Sequence, residues 1–256
     1  MIPSALDHVR EIAAHRGGLA VFLDYDGTLT PIVSDPEKAL LSDSMRQTLR
    51  ALAARAPVAI LSGRDLDDIC QRVDLGTVVY GGSHGFDIAG PCGLRKQVAA
   101  EFLAAMDAAE NELRKMLACI PGTLVERKRF SVAAHYRNVD ESDVAQVERI
   151  VNQVAAHRRK LRKIDNKKVY ELQPDIDWDK GKAVLWLLEA LGLEQDDVRP
   201  VYIGDDRTDE DAFRALEQRG VGIFVGELPR PTAARYSLKN TAEVQHFLGA
   251  LISSLT

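Results

Sequence analysis

The apolar run Leu19 to Leu23 breaks off into acids and a glycine in DYDGTLT (Asp24 to Thr30), the pattern of a strand buried on both faces. Ser42 or Asp43 then caps a predicted helix whose apolar face includes Met45, Leu49 and Leu52. Pro57 stops that helix, and a second buried strand, Val58 to Leu61, opens into Ser62-Gly63-Arg64. A short helix from about Asp65 follows, then a third strand, Thr77 to Tyr80, ending in GGSHG (Gly81 to Gly85). Strand alternating with helix in this way predicts a parallel sheet with right-handed crossovers.

The middle of the chain has a different rhythm. Lys96 to Cys119 reads as one long amphipathic helix, followed by alternating strands at Thr123 to Lys128 and Phe130 to Arg137. A helix from about Glu141 to Arg159 and an alternating stretch, Lys167 to Leu172, close the segment. This is the pattern of a small antiparallel sheet backed by helices. From Gly181 the first rhythm returns, with a helix through Leu191, a strand Pro200 to Ile203, GDDRTDEDAF, another helix and a strand Val221 to Val225. The expected fold is a doubly wound α/β core, residues 1–97 and 174–256, interrupted by an α+β cap at residues 98–173. No internal repeat or low-complexity segment is visible.

Composition narrows the classes of function. A chain of 256 residues that is 46% hydrophobic and 28% charged has the balance of a globular protein with a substantial core. Its net charge of −5 offers nothing to nucleic acid or an anionic membrane. The basic run HRRKLRK (His157 to Lys163) reads as a solvated helix end or hairpin edge. Cys70, Cys92 and Cys119 are scattered, so neither a zinc site nor a disulfide framework is expected. The N-terminal stretch is charged and lacks the apolar core of a signal peptide, and no apolar run reaches membrane-spanning length. The expectation is a cytoplasmic, monomeric protein.

In open parallel sheets, ligands bind beyond the carboxyl ends of the strands. Four polar clusters fall at such ends: Asp24 with Asp26, Ser62, Gly81 to His84, and Asp205 with Asp206. Carboxylates gathered this closely repel one another unless a cation separates them or one is protonated. A hard divalent ion is the natural resolution, and Mg²⁺ prefers one or two carboxylates, waters and a substrate phosphate.

These motifs resemble the haloacid-dehalogenase-like phosphatases. DYDGTLT is similar to their first motif, Ser62 in LSGR to the second, Lys180 in DKGKA to the third, and GDDRTDEDAF (Gly204 to Phe213) to the fourth. The resemblance implies Asp24 as nucleophile, Asp26 as general acid and then base, and Mg²⁺ held by Asp24, the Asp26 backbone carbonyl and Asp205. Ser62 and Lys180 would steady the phosphoryl group, with Gly63 and Arg64 beside it. Asp206 and Asp209 are expected to orient Asp205 and waters on the metal. Lys182 is a second candidate for the role of Lys180.

The cap narrows the resemblance to the trehalose-6-phosphate phosphatases, on GGSHG, VERKRFSVAAHYR (Val125 to Arg137) and KVYELQP (Lys168 to Pro174). The resemblance implies that Glu126, Lys128, Lys167 and Glu171 bind sugar hydroxyls, with Arg137 and His84 nearby. Lys168 can replace Lys167, because a one-residue slip swaps the face of a strand. Where that family commonly has a basic residue before the proline, this chain has Gln173. The nearest alternative is a phosphatase of the same fold acting on mannosyl- or glucosyl-3-phosphoglycerate or another sugar phosphate, for which Arg127, Arg129 and Arg137 would serve the carboxylate. A receiver domain would carry its acceptor aspartate at the third strand and lack the cap. A silent sensor would have no reason to keep both Asp24 and Asp26.

Overall fold

The computed structural model describes residues 2–33, 35–158, 160–166, 168–194, 198–227 and 231–255. The chain divides into two compact units, Met1–Lys96 with Trp178–Thr256, and Gln97–Asp177.

The first unit is built on a sheet of β1 (Leu19–Leu23), β2 (Val58–Leu61), β3 (Val79–Gly82), β4 (Asp87–Ala89), β5 (Arg95–Gln97) and, from the far half of the chain, β10 (Arg199–Gly204), β11 (Val221–Val225) and β12 (Tyr236–Leu238). The strand order is β12-β11-β10-β1-β2-β3-β4-β5, parallel from β12 to β3 and antiparallel at β3–β4. Alternate side chains feed two cores. Val21, Leu23, Ile60, Ile203 and Ile223 join a cluster with residues of α2 (Asp43–Ala53), α3 (Leu66–Val73) and α8 (Thr241–Ser254). Phe22, Leu61, Tyr202 and Phe224 join the cluster containing α6 (Lys180–Ala190) and α7 (Asp209–Leu216). Both faces are covered, which is why the strands read as continuous apolar runs. Each fully buried Leu, Ile or Phe contributes roughly 1.5–3 kcal/mol.

The second unit is an antiparallel sheet of β6 (Leu124–Lys128), β7 (Ser131–His135), β8 (Leu161–Asn166) and β9 (Val169–Pro174), in the order β6-β7-β9-β8. Two helices, α4 (Leu103–Leu117) and α5 (Val144–His157), contact these strands. Arg127 on β6 reaches Asp107 on α4 at 2.9 Å, so the odd-numbered face of β6 is the helix-covered one. The even-numbered residues, Glu126 and Lys128, therefore lie on the opposite face.

The doubly wound core and the α+β segment agree with the sequence-based expectation, while several boundaries differ. The third strand lies two residues later than expected, because Asp74 ends α3 in a left-handed conformation (φ 51°) and Val78 still turns back onto Leu75. The long helix expected over Lys96 to Cys119 is confined to α4, since Arg95–Gln97 pairs at the sheet edge and Ala100–Phe102 forms a 3-10 turn. The last three residues of HRRKLRK, Leu161 to Lys163, are strand: β8 is the edge of its sheet, where charged side chains discourage further pairing. The last strand of this unit runs Val169–Pro174 rather than Lys167 to Leu172. Cys70, Cys92 and Cys119 are free thiols. No helix among the described residues is long and apolar enough to cross a membrane.

Candidate active site

Asp24 follows the last residue of β1, and its N–H still donates to the Ile203 carbonyl at 2.9 Å, so the sheet ladder sets its position. The residue is 5% exposed. Lys180 opens α6 and sends its ammonium to Asp24 Oδ1 and Asp209 Oδ1, each at 2.7 Å. The lysine is 2% exposed, so this is a buried cation shared by two carboxylates. Asp209, in the first turn of α7, also accepts from the Tyr202 hydroxyl at 2.7 Å and from the Asp206 N–H at 2.9 Å. Both acceptor sites of its Oδ1 and one of its Oδ2 are thereby engaged, and it fixes where Lys180 points. Lys182 serves differently: its backbone N–H is capped by the Asp179 carboxylate at 2.8 Å. Tyr202 was not among the candidates from sequence, being hidden in a continuous apolar strand. A buried tyrosine must still satisfy its hydroxyl, and that requirement is the signal that points to it.

Asp205 completes the acid cluster. Gly27 has φ 92°, and a Cβ there would collide with the Asp205 carboxylate, so glycine both makes the turn and lets the two motifs meet. Thr28 donates to Asp205 Oδ1 at 3.4 Å. Carboxylate oxygens of Asp24, Asp205 and Asp209 all lie within 4.8 Å of one another. Burial, then repulsion from Asp209 and Asp206, pushes the Asp205 carboxyl up to about 7, and it shares a hydrogen bond with Asp24. Burial also raises Asp24 well above the ordinary carboxylate range, with Lys180 opposing and Asp209 and Asp205 adding to the rise. For Lys180, burial acts to lower the value, but Asp209 and Asp24 outweigh it and hold the ammonium charged. One monovalent cation thus faces three carboxylates. That shortfall of positive charge, with an all-oxygen donor set, fits a hard divalent cation.

Ser62 is buried beyond β2, where its Oγ accepts the Arg64 N–H at 3.1 Å. Arg64 does not present a free guanidinium. Its Nε and Nη2 grip both carboxylate oxygens of Asp26 at 2.7 Å, and Nη1 reaches Asp68 Oδ2 at 3.0 Å. Arg72 continues the chain to Asp68 at 2.8 Å and Glu37 at 3.0 Å. Arg64 had been expected from sequence to lie against substrate, and Asp26 to be the acid and base. The structure brings these two side chains together. Gly63 is needed for His84, whose imidazole would lie 2.8 Å from a Cβ at that position. His84 itself takes a left-handed conformation (φ 58°) in the turn after β3.

The second unit carries its own polar group. Glu126 and His135 meet at 2.7 Å between carboxylate and Nε2. Lys128 lies 3.5 Å from Glu171 Oε1, and Ser131 donates to the same oxygen at 2.5 Å. Register places Glu126, Ala133 and Glu171 side by side across three strands, on the face away from the helices. Glu171 is 3% exposed, so its contacts are dry and stronger than a surface pair. Arg137 lies exposed just past β7. Lys168 has φ 64° and carries its ammonium 5.8 Å from the ring centre of Tyr136. Lys167 lies outside the described residues. His135 was not among the candidates, since its meeting with Glu126 is diagonal across the hairpin and depends on register.

The sequence pattern of the trehalose-phosphatase family matches residues 22–242. Probable trehalose-phosphate phosphatase 3 of Oryza sativa subsp. japonica is 42% identical, over 98% of this chain and 74% of its own length. Trehalose-phosphate phosphatase B of Arabidopsis thaliana is 42% identical, over 98% of this chain and 71% of its own. Among solved structures, trehalose-6-phosphate phosphatase of Aspergillus fumigatus superposes with a TM-score of 0.71 at 27% identity, covering 99% of this chain and 100% of that one. The C-terminal domain of the Candida albicans trehalose-6-phosphate phosphatase superposes with a TM-score of 0.80, covering 99% and 98% at 24% identity, which speaks to the fold.

Proposed function

We propose, from the premise that this chain belongs to the trehalose-phosphatase family, that it hydrolyses trehalose 6-phosphate to trehalose and phosphate, with Asp24 as nucleophile and Mg²⁺ as cofactor. The observation that carries the reading is the convergence of Asp24, Asp205 and Asp209 on the buried Lys180.

Bound among these carboxylates, and held by Asp24 and Asp205, Mg²⁺ would supply a Lewis acid that neutralises the substrate phosphate. Asp24 can then attack phosphorus, because the Lys180 ammonium beside its Oδ1 draws off charge that would repel an incoming dianion. Asp209 and Tyr202 keep that ammonium in place. The Ser62 hydroxyl, anchored at the β2 end, is set to donate to an equatorial oxygen as charge moves in the transition state. The bond from phosphorus to the sugar oxygen breaks as the Asp24–phosphorus bond forms, and Asp26 delivers a proton to the leaving alcohol. Asp26 then takes a proton from the water that hydrolyses the aspartyl-phosphate. For this, Arg64 must yield at least one Asp26 oxygen, and its bonds to Asp68 and Pro36 O give it somewhere to stay.

The polar face of the second unit suits a neutral sugar. Glu126, His135, Lys128 and Glu171 together offer donors and acceptors to hydroxyl groups that are both. We assign residues 98–173 the role of a specificity cap on this ground. A same-fold phosphatase for glycosyl-3-phosphoglycerates remains the second reading, on the strength of Arg129 and Arg137. Phosphate release from trehalose 6-phosphate, with and without Mg²⁺, separates the two.

A further inference from the structure

We infer a second binding site, for a small phosphorylated anion, at the end of the core sheet opposite Asp24. A cavity of about 300 Å³ lies there, lined by His15, Arg199, Glu217, Arg219 and Arg235 among others. Arg199 is the first residue of β10, and Val221, also in the lining, is the first of β11, so the cavity sits at the amino ends of the strands. Asp24 and Asp205 follow the carboxyl ends of β1 and β10. The two sites are therefore separated by the length of the sheet.

Three arginines from separate segments, β10, the turn after α7 and the residue before β12, line one cavity in a chain whose net charge is −5, and the lining sets one glutamate against them. Among the described residues, two of the three do not spend their charge on a carboxylate. Arg199 donates to the backbone carbonyl of Glu11 at 2.8 Å, and Arg219 to that of Leu193 at 3.3 Å. Among the described residues, Arg235 alone of the three is paired with an acid, Glu11 Oε1 at 3.0 Å. Bonds to carbonyls orient a guanidinium without neutralising it. Arginine forks match the oxygens of a phosphate monoester, which is why the ligand is assigned to that class. The volume is at the low end of small-molecule pockets, which run from roughly 300 Å³ upward, and admits a ligand the size of a monosaccharide phosphate. Nothing in the lining is placed as a nucleophile, so the site binds rather than reacts.

The test is amide NMR of the whole chain, titrated with inorganic phosphate in Mg²⁺-free buffer containing EDTA, where no turnover occurs. Phosphate should shift the amides of Arg199, Gly220 and Val221. In the Arg219→Ala/Arg235→Ala protein those shifts should need on the order of tenfold more phosphate, or vanish. Arg219→Glu alone, which keeps the Arg235–Glu11 contact, should show the same loss with an unchanged melting temperature. A parallel titration with glucose 6-phosphate distinguishes an organic ester, if it binds more tightly, from phosphate itself. Unmoved Arg199, Gly220 and Val221 amides in the unaltered protein, or equal affinity in the arginine variants, would overturn the assignment.

Discussion

Arg64 holds both carboxylate oxygens of Asp26 at 2.7 Å, a fork that joins the second motif to the first. An arginine reaching for substrate and an arginine steadying the acid–base residue make different kinetic predictions. Arg64→Ala is expected to lower kcat about tenfold or more while KM for trehalose 6-phosphate changes less than about threefold, as for a group acting on the transition state. Steady-state kinetics decide it, since a substrate-binding arginine would act mainly through KM.

Lys180 should matter to stability and turnover together. In Lys180→Met, Asp24 and Asp209 lose the cation both touch. Without Mg²⁺ the variant is expected to lose about 3–5 kcal/mol of stability, the cost of leaving buried carboxylates unpaired. With Mg²⁺ its kcat should still fall about 100-fold or more, because charge beside the nucleophile is lost. Denaturant unfolding and phosphate-release assays measure the two effects.

The acid cluster predicts a pH-dependent response to metal. The Asp205 carboxyl is raised from 3.8 to about 7 by burial and its acidic neighbours, so the folded metal-free protein holds this proton more tightly than the unfolded chain does. Its contribution to stability is therefore full below the unfolded value and is lost as pH rises through about 7. Mg²⁺ replaces the proton and restores what ionisation removes. The rise in melting temperature on adding Mg²⁺ should be larger at pH 8 than at pH 5.5. An equal rise at both values would show that the ion does not compete with this proton.

In the second unit, Glu126→Ala and His135→Ala should each raise KM for trehalose 6-phosphate about tenfold and leave kcat/KM for a small aryl phosphate within about twofold. Equal losses on both substrates would make the pair a structural hairpin contact.

How far these features can be read from sequence follows from what each one depends on. β1, β2 and β11 match their expected spans because a strand buried on both faces is written as an unbroken apolar run. β8 carries Arg162, Lys163 and Asp165 around Leu161 and Ile164, so charge on both faces of an edge strand masks the alternation. The approach of Asp24 to Asp205 was legible, since each stands at the end of a predicted strand of one sheet; Lys180 and Asp209 entered through the resemblance of their motifs, and the bond between those two was not foreseen. The Arg64–Asp26 fork and the Glu126–His135 contact were not, as side-chain direction and register lie beyond periodicity. That it is Lys180 whose ammonium the first turn of α6 brings to Asp24 is likewise a matter of side-chain direction.

The most direct test of the account is phosphate release from trehalose 6-phosphate, measured beside glucose 6-phosphate, glucosyl-3-phosphoglycerate and mannosyl-3-phosphoglycerate, with Mg²⁺ and with EDTA, for the unaltered protein and Asp24→Asn. The account predicts strong preference for trehalose 6-phosphate, no release in EDTA, and none from Asp24→Asn under any condition. Turnover by Asp24→Asn, or equal or better release from the glycosyl-3-phosphoglycerates, would contradict it.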